Sequence, residues 1–309
     1  MLKYVLKRLG YILVTLWVIV TCTFFMMKNL PGTPFDAERF SIMTPQQQER
    51  VLEMYGLNDS LPMQYVKYIK NMLKGDLGTS FTYVNQDVSK VITGRLGPSA
   101  LIGIQAVLIG LAIGLILGIL AAWKHNSGID YFTMILAVLG VSVPNFVAAA
   151  LLQYYIGLKW GVLPVGFWTG WNCSVLPSIA LSFSATAMVA RFMRTEMLDV
   201  LDQDYIVTAR AKGLSQMKVL MRHAVRNSIL PVVTILGPIV VNLMTGSLAV
   251  ENIFSIPGIG SLFVDCIKAN DYPVIMGITI FYAAFYMLIV LLVDLAYSLI
   301  DPRIRLAKG

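Results

Sequence analysis

Residues 99–122 read SALIGIQAVLIGLAIGLILGILAA, an uncharged run bounded by Arg95 and Lys124. A helix needs about 20 apolar residues to cross the hydrocarbon core of a bilayer, so this run predicts a transmembrane helix. Five further uncharged runs of similar length lie at 9–27, 131–158, within 160–190, at 227–250 and at 272–293, the last continuing past Asp294 to residue 300. The sequence therefore predicts an all-α integral membrane protein with six transmembrane helices.

The composition of the whole chain agrees with this prediction. Of 309 residues, 57% are hydrophobic and 13% are charged, whereas soluble domains carry roughly 45–50% apolar and about 25% charged residues. These values argue against a soluble protein and against disorder, which requires low hydrophobicity and high charge. The three cysteines are too few and too far apart for a disulfide framework or a metal cluster. A net charge of +7 could indicate nucleic-acid binding, but in a membrane protein a basic excess usually reflects the cytoplasmic loops.

The distribution of lysine and arginine predicts the orientation of the helices. With the N-terminus inside, fourteen of the 24 basic residues fall in cytoplasmic segments, and seven of these lie between Arg191 and Arg226. Only Lys159 and Lys268 fall in short external loops, and the segment 28–95 is too long for the positive-inside rule to count. Both termini are therefore predicted to be cytoplasmic. The first apolar run lacks a small-x-small cleavage site, so we expect an uncleaved helix rather than a signal peptide.

The one sizeable external segment, 29–95, predicts two short helices. Thr44-Pro45-Gln46-Gln47 has the pattern of a capping box, and the helix that it begins is expected to end near Gly56. A second helix is predicted from about residue 62 to residue 74, with Gly75 as its stop. Such a unit buries little surface by itself. It is interpreted either as a lid or docking surface on the outer mouth of the bundle, or as a structural cap without function.

The cytoplasmic segment 197–229 predicts a short helix that ends abruptly at Gly213, because glycine favours the backbone conformation that stops a helix. Lys218, Arg222 and Arg226 recur at four-residue spacing, so one face of the following helix is predicted to be basic. The residues alone leave two interpretations open. The segment either lies on anionic lipid as an interfacial helix or docks to a protein.

Several motifs resemble those of one known family. The stretch Thr208–Leu214, followed by Leu230-Pro231, is similar to the loop by which permeases of ATP-binding-cassette importers engage their ATPase subunits. More specific matches resemble the oligopeptide and dipeptide importer permeases, and in particular the subunit with a long external segment after its first helix. These matches are Phe254–Leu262, Asp271–Val274, Asp301–Arg305, Leu30–Gly32, Gly75–Gly78 and Ser142–Pro144. The resemblance thus covers almost the entire chain.

The resemblance implies a non-catalytic permease that forms half of a translocation pathway. Its implied partners are a second homologous permease, two cytoplasmic ATPase subunits, an extracytoplasmic substrate-binding protein and a peptide substrate. No cofactor or metal is expected in this chain, which has no G-x-x-x-x-G-K-[ST] loop, so ATP and Mg²⁺ are expected on the ATPase subunits. The residues implied to couple to the ATPases are Thr208, Ala209, Arg210, Ala211, Lys212, Gly213 and Leu214.

The same interpretation divides the chain into three regions. Residues 1–28 contain the N-terminus and the first transmembrane helix, and residues 29–95 form the external helical segment. Residues 96–309 form the core permease domain, with transmembrane helices 2–6 and the coupling loop 197–229.

Other functions fit the residues less well. A secondary transporter needs ionisable groups inside the membrane, and only Asp294 lies within a predicted span, where it is expected to pair with Arg191 or Arg194. His125 and His223 both fall in cytoplasmic connections. The sequence has no set of catalytic residues that would indicate a membrane enzyme, because neither the metalloprotease motif H-E-x-x-H nor the serine-hydrolase motif G-x-S-x-G occurs. Import of a nickel chelate or of glutathione by a related permease is the nearest alternative within the class.

The residues that line the path are predicted from polar positions inside the spans. Four candidates are Ser142, Asn145, Asn242 and Thr245. Small and polar residues also hold transmembrane helices together, so helix packing is the competing interpretation for each of them. The loop 251–272 predicts a re-entrant or interfacial hairpin at the outer face. Cys173 and Cys266 lie on the outer side, but nothing in the sequence fixes the distance between them.

Overall fold

The computed structural model describes residues 2–29, 40, 42–54, 56–83, 86–244 and 247–300. Thr245 and the motifs Leu30–Gly32 and Asp301–Arg305 lie outside these residues, as does the side chain of Asp294. Across the described ranges the chain is helical, and its only strand-like feature is an isolated antiparallel bridge between Thr79 and Asp87. The α-helices are α1 (Leu2–Lys28), α2 (Pro45–Met54), α3 (Leu61–Met72), α4 (Val88–Trp123), α5 (Gly128–Ser142), α6 (Asn145–Leu152), α7 (Val175–Leu201), α8 (Asp204–Ala211), α9 (Gln216–Val219), α10 (Arg226–Met244), α11 (Leu248–Ile253), α12 (Ile259–Lys268) and α13 (Tyr272–Ile300).

Five helical stretches of the described chain are long and apolar enough to cross a membrane, and the number is six if a bent helix pair counts as one span. These stretches are Lys7–Lys28, Val88–Trp123, Trp171–Leu201, Gln216–Ile253 and Tyr272–Val293, and the bent pair is Gly128–Ser142 with Asn145–Lys159. The prediction of an all-α membrane protein is therefore confirmed.

The third predicted span, 131–158, is not one continuous helix. Helices α5 and α6 meet at an angle of 100°, and Val143 between them is extended, with φ −80° and ψ 118°. Pro144 causes this break, because proline disfavours helical backbone in the residue before it and has no N–H to donate. The second arm then continues as a π-helix over Gln153–Lys159.

The external helices follow the predicted local signals closely. In the capping box, the Thr44 N–H donates to Gln47 Oε1 at 2.9 Å and the Gln47 N–H donates to Thr44 Oγ1 at 3.4 Å. Gly56 and Gly75 have φ values of +64° and +81°, the left-handed conformation that ends a helix. The predicted helix boundaries are thus confirmed to within a few residues.

The described chain divides into two compact units. The first unit contains residues 98–260 and 286–300, and the second contains residues 2–97 and 261–285. The second unit thus includes both α1 and the external helices α2 and α3. All three cysteines are free thiols, of which Cys173 and Cys266 are buried.

In the first unit, α4 packs closely on α7 through a glycine stripe of Gly110, Gly114 and Gly118. A Cβ atom at Gly110 would lie 2.7 Å from Ala185 Cβ, and one at Gly118 would lie 2.6 Å from the Ala190 carbonyl oxygen. Glycines at four-residue spacing let transmembrane helices approach at backbone distance. The sequence of α4 therefore determines how near α7 can come.

We expect Gly118→Ala to destabilise the protein by about 1–3 kcal/mol, because the added methyl group meets backbone that cannot move aside. The matched control is Gly128→Ala, since Gly128 is also helical and a Cβ atom there would meet no other element within 4 Å. Thermal unfolding of the purified protein in detergent measures the difference. Equal melting temperatures for the two variants would show that the α4–α7 contact tolerates expansion.

Candidate coupling surface and translocation path

The segment predicted to couple to an ATPase forms a short helix with a defined end. Helix α8 runs from Asp204 to Ala211, and Gly213 follows with φ +77°. The Gly213 N–H donates to the Arg210 carbonyl oxygen at 2.9 Å. The predicted glycine stop is confirmed, because the left-handed conformation at Gly213 turns the chain out of the helix.

One face of α8 packs on a small core of its own. Ile206 and Ala209 are buried against Val219, which follows the turn, and Leu214 packs against the same cluster. This core fixes the angle between α8 and the helix that follows. The segment is therefore a packed helix and turn, and not an extended loop.

The other face of α8 is exposed. Five of the seven predicted coupling residues lie on it or just after it: Thr208, Arg210, Ala211, Lys212 and Gly213. The other two, Ala209 and Leu214, belong to the small core. Val207 is 59% exposed, so the outward surface also carries an apolar side chain that the sequence reasoning did not single out.

Acidic and basic residues lie at opposite ends of this surface. Asp199, Asp202 and Asp204 are exposed before and at the start of α8, whereas Arg210 and Lys212 are exposed at its end. The predicted basic residues Lys218, Arg222 and Arg226 are also exposed. They do not lie on one regular α-helix, because a π-helical stretch over Leu220–Val225 separates α9 from α10. Such a gradient from acidic to basic can orient a protein partner, since complementary charges select one register.

The four predicted path residues occupy different places. Ser142 ends α5 and Asn145 begins α6, so the two flank the 100° bend. Asn242 is exposed on α10, on a different helix. Thr245 lies outside the described residues. The structure therefore brings Ser142 and Asn145 together at a break in a membrane helix, where backbone polar groups need a partner or a cavity.

The predicted hairpin over 251–272 is built from two helices, α11 and α12, joined by the Pro257-Gly258 turn. A buried carboxylate organises this turn. Glu251 is 2% exposed and its Oε1 accepts a hydrogen bond from Ser99 Oγ at 2.7 Å. The same Ser99 oxygen accepts from the Ile259 N–H at 2.9 Å.

The glycine at position 258 makes this arrangement possible, because any Cβ atom there would overlap the Glu251 carboxyl group. Sequence reasoning did not identify Glu251 as buried. The signal that could have found it was the Gly258-Ile259-Gly260 pattern, since paired glycines often mark a close approach of another group.

An ion pair joins the start of α5 to α7 in the first unit. Arg194 on α7 makes two bonds to Asp130 on α5, Nε to Oδ1 at 2.5 Å and Nη2 to Oδ2 at 2.7 Å. Asp294 was predicted to pair with Arg191 or Arg194, and because its side chain lies outside the described residues a pairing with Arg191 stays a prediction. The structure instead gives Arg194 the nearly inaccessible carboxylate of Asp130, which also accepts a bond from the Asn126 N–H.

Comparison with known proteins covers nearly the whole chain. Residues 114–306 match the family model described as binding-protein-dependent transport system inner membrane component, and residues 1–96 match the model of the N-terminal part of such components. The dipeptide transport system permease protein DppB of Lactococcus lactis is 46% identical over 99% of this chain and 100% of its own length. DppB of Bacillus subtilis is 43% identical over 100% and 99%, and the oligopeptide permease OppB of Haemophilus influenzae is 39% identical over 99% and 100%.

A crystal structure of an amino acid ABC transporter with histidines has a similar fold, with a TM-score of 0.51. It is 19% identical, and the match covers 70% of this chain and 94% of that one. At this identity the likeness concerns the fold alone.

Proposed function

Since the chain belongs to the family of inner-membrane components of binding-protein-dependent transport systems, we propose that it is the permease subunit of an ATP-driven peptide importer. The observation that carries this proposal is the 46% and 43% identity to dipeptide permeases over nearly the full length of each chain. The protein is a multi-pass component of the cell membrane. It forms half of the translocation pathway and contains helices that move between the inward-open and outward-open states. ATP hydrolysis takes place in partner subunits.

The proposed coupling element is α8 with the turn at Gly213. An ATPase subunit contacts the exposed side chains of Thr208, Arg210 and Lys212, and the exposed apolar side chain of Val207 adds to the same contact. The small core of Ile206, Ala209 and Val219 joins α8 to α9, which leads along the chain towards α10, and passes the displacement in that direction. Rigid-body movement of helices between two states is what alternating access requires.

The proposed assembly contains a second homologous permease, two cytoplasmic ATPase subunits that bind ATP and Mg²⁺, and an extracytoplasmic substrate-binding protein. Both termini of this chain and α8 face the cytoplasm, and residues 29–95 face outward. Ser142, Asn145, Asn242 and Thr245 contribute to the path, which the second permease completes. The bend at Pro144 supports this assignment, because a broken helix is tolerated where it lines a cavity.

We expect two nucleotide-binding ATPases and a second permease to co-purify with this chain from a mild detergent extract. In proteoliposomes the purified complex, with its substrate-binding protein, should import a radiolabelled dipeptide only when ATP is supplied. A complex whose ATPase subunit lacks the phosphate-loop lysine is the control and should import nothing. An ATPase-free preparation that moves the dipeptide with an ion gradient would contradict the proposal. If glutathione or a nickel chelate competes for uptake and other peptides do not, the substrate is that compound and not peptides in general.

A further inference from the structure

The first unit contains a groove of about 890 Å³ that the proposed function does not use. One face of α7 forms one side of it, because the lining residues from Ile179 to Ala190 recur at three- and four-residue spacing. The rest of the lining comes from α4, from both arms of the bent span, α5 and α6, and from the π-helix and Trp160 that follow. The lining segments up to Lys159, and α7, belong to the stretches that are long and apolar enough to cross a membrane. The groove therefore lies within the bilayer.

The surface of the groove is almost entirely hydrocarbon. Of its polar side chains, Thr133 is 1% and Ser182 is 2% exposed, and the Ser182 hydroxyl donates to the Ile179 carbonyl oxygen at 2.8 Å. The accessible lining residues are large and apolar, and they include Ile113, Leu136, Leu139, Leu151 and Phe183. An occupant must therefore be apolar along most of its length.

The groove is separate from the residues proposed for the translocation path. Ser142 and Asn145 flank the bend and Asn242 lies on α10, and none of these three lines the groove. A peptide carries backbone N–H and C=O groups that need hydrogen-bond partners, and the groove offers few of them. It therefore suits a different occupant from the transported substrate.

The size of the accessible side chains favours an acyl chain over the helix of a partner subunit. Interfaces between transmembrane helices are enriched in small residues, which let the backbones approach closely. The small lining residues Ala137, Ala148 and Ala187 are at most 4% exposed, so this chain already covers them. The surface that remains accessible consists of branched aliphatic and aromatic side chains, which a flexible hydrocarbon chain can cover with many dispersion contacts.

The length of the groove matches one leaflet of the bilayer. Ile179 lies four positions after the start of α7, and Ala190 lies near the middle of this helix. The rise from Ile179 to Ala190 is about 16 Å at about 1.5 Å per residue. The hydrocarbon of one leaflet is about 15 Å deep, half of a core of about 30 Å. The groove can therefore hold one acyl chain from the headgroup region to the middle of the bilayer.

Aromatic residues and a lysine lie where the chain leaves the groove for the loop between α6 and α7. Tyr155 and Trp160 line the groove, and their ring centroids are 6.5 Å apart. Tyrosine and tryptophan are enriched at the headgroup level of membranes. Lys159 precedes Trp160 and is exposed, and a long lysine side chain at this level extends into the headgroup layer. The positive charge there complements the phosphate of a lipid.

We propose that this groove binds one acyl chain of an anionic phospholipid, with the phosphate near Lys159. The chain fills the space that protein side chains leave between α7 and the two arms of the bent span. The inference depends on the position of these helices in the membrane and not on the transported substrate.

The test uses the purified membrane complex that contains this chain, stripped of lipid in detergent. The probe is phosphatidylglycerol with a photoreactive diazirine in the middle of one palmitoyl chain, added in equimolar amount. After irradiation, mass spectrometry of the peptides locates the cross-linked residues. Cross-links should concentrate at Leu136, Leu151 and Phe183, and should be scarce at the exposed α1 residues Leu13 and Val14.

Two variants with matched controls test the two contacts of the lipid. Ile113→Trp adds an indole ring within the groove and should lower the cross-link yield roughly 10-fold, the effect of excluding about two methylene groups of the chain. Its control is Ile116→Trp, at an exposed position of the same helix outside the groove, which should leave the yield unchanged. Lys159→Met should lower the yield roughly 5-fold, the contribution of one lysine near anionic lipid. Its control is Lys268→Met, which removes an exposed lysine at the end of α12.

Three outcomes would overturn this inference. Equal cross-linking of the groove and of α1, or equal yields in Ile113→Trp and Ile116→Trp, would show that the lipid has no preference for the groove. An unchanged yield in Lys159→Met would disprove the placement of the phosphate. If a photoreactive amino acid at position 136 cross-links to another subunit and not to lipid, the groove is a subunit interface. None of these measurements requires peptide uptake, so their failure leaves the proposed function intact, and absence of uptake leaves the lipid site intact.

Discussion

Gly213→Val is expected to reduce ATP-driven peptide uptake roughly 5- to 150-fold. Gly213 has φ +77°, and a β-branched residue in this left-handed region costs about 1–3 kcal/mol. A Cβ atom at this position meets no atom within 4 Å, so the effect arises from the backbone conformation and not from a clash. This strain energy lowers the ratio of chains in which α8 ends at Gly213 to chains in which it does not. For about 1–3 kcal/mol the ratio falls by roughly 5- to 150-fold.

The matched variant is Gly213→Asn, because asparagine adopts the left-handed conformation far more readily than valine does. It adds a side chain of similar size in the same open space and should keep most of the uptake. Peptide uptake and ATP hydrolysis are measured on the same proteoliposomes, and ATPase subunits are counted in the purified complex. If valine and asparagine reduce uptake equally, the side chain itself obstructs docking and the role of the glycine stop is disproved. If neither affects uptake, α8 is not the coupling element.

The features that sequence alone predicted are local ones. The capping box at Thr44–Gln47 and the helix stops at Gly56, Gly75 and Gly213 depend on backbone conformations that a few neighbouring residues determine. Membrane spans are predictable for a similar reason, because lipid requires an unbroken run of apolar residues. The 100° bend within the third span was not predicted, although Pro144 disfavours helix in the residue before it.

The features that sequence did not predict depend on long-range packing. Arg194 could meet any acid near the same end of the bundle, and the expected partner, Asp294, lies 100 positions along the chain. The actual partner, Asp130, is selected by the packing of α5 against α7. In the same way, only the packing of α1 against α3 places Phe24 beside the Tyr65 and Tyr68 rings, at centroid distances of 5.3 and 5.7 Å.

Arg194→Met is expected to lower the free energy of unfolding by about 3–5 kcal/mol. Asp130 is 2% exposed and receives two bonds from the guanidinium group, so the substitution leaves a buried carboxylate without its cation. Breaking one side of a buried pair costs far more than the pair itself contributes, because the remaining charge keeps its desolvation cost. The start of α5 would lose its ion pair with α7 while the apolar packing between the two helices remains. The melting temperature in detergent measures the loss of stability.

Two further variants test whether the uncompensated charge causes this effect. The control is Lys90→Met, which removes the cation of the exposed pair with Asp87, where the side chains are 78% and 52% exposed. Exposed pairs contribute about 0–1 kcal/mol, so this variant should melt close to the unchanged protein. The double variant Asp130→Asn/Arg194→Met removes both charges and should recover much of the stability lost in Arg194→Met, because no buried charge remains. If the double variant is as unstable as the single one, the lost stability comes from the packing of the Arg194 side chain, and the ion pair does not hold α5 on α7.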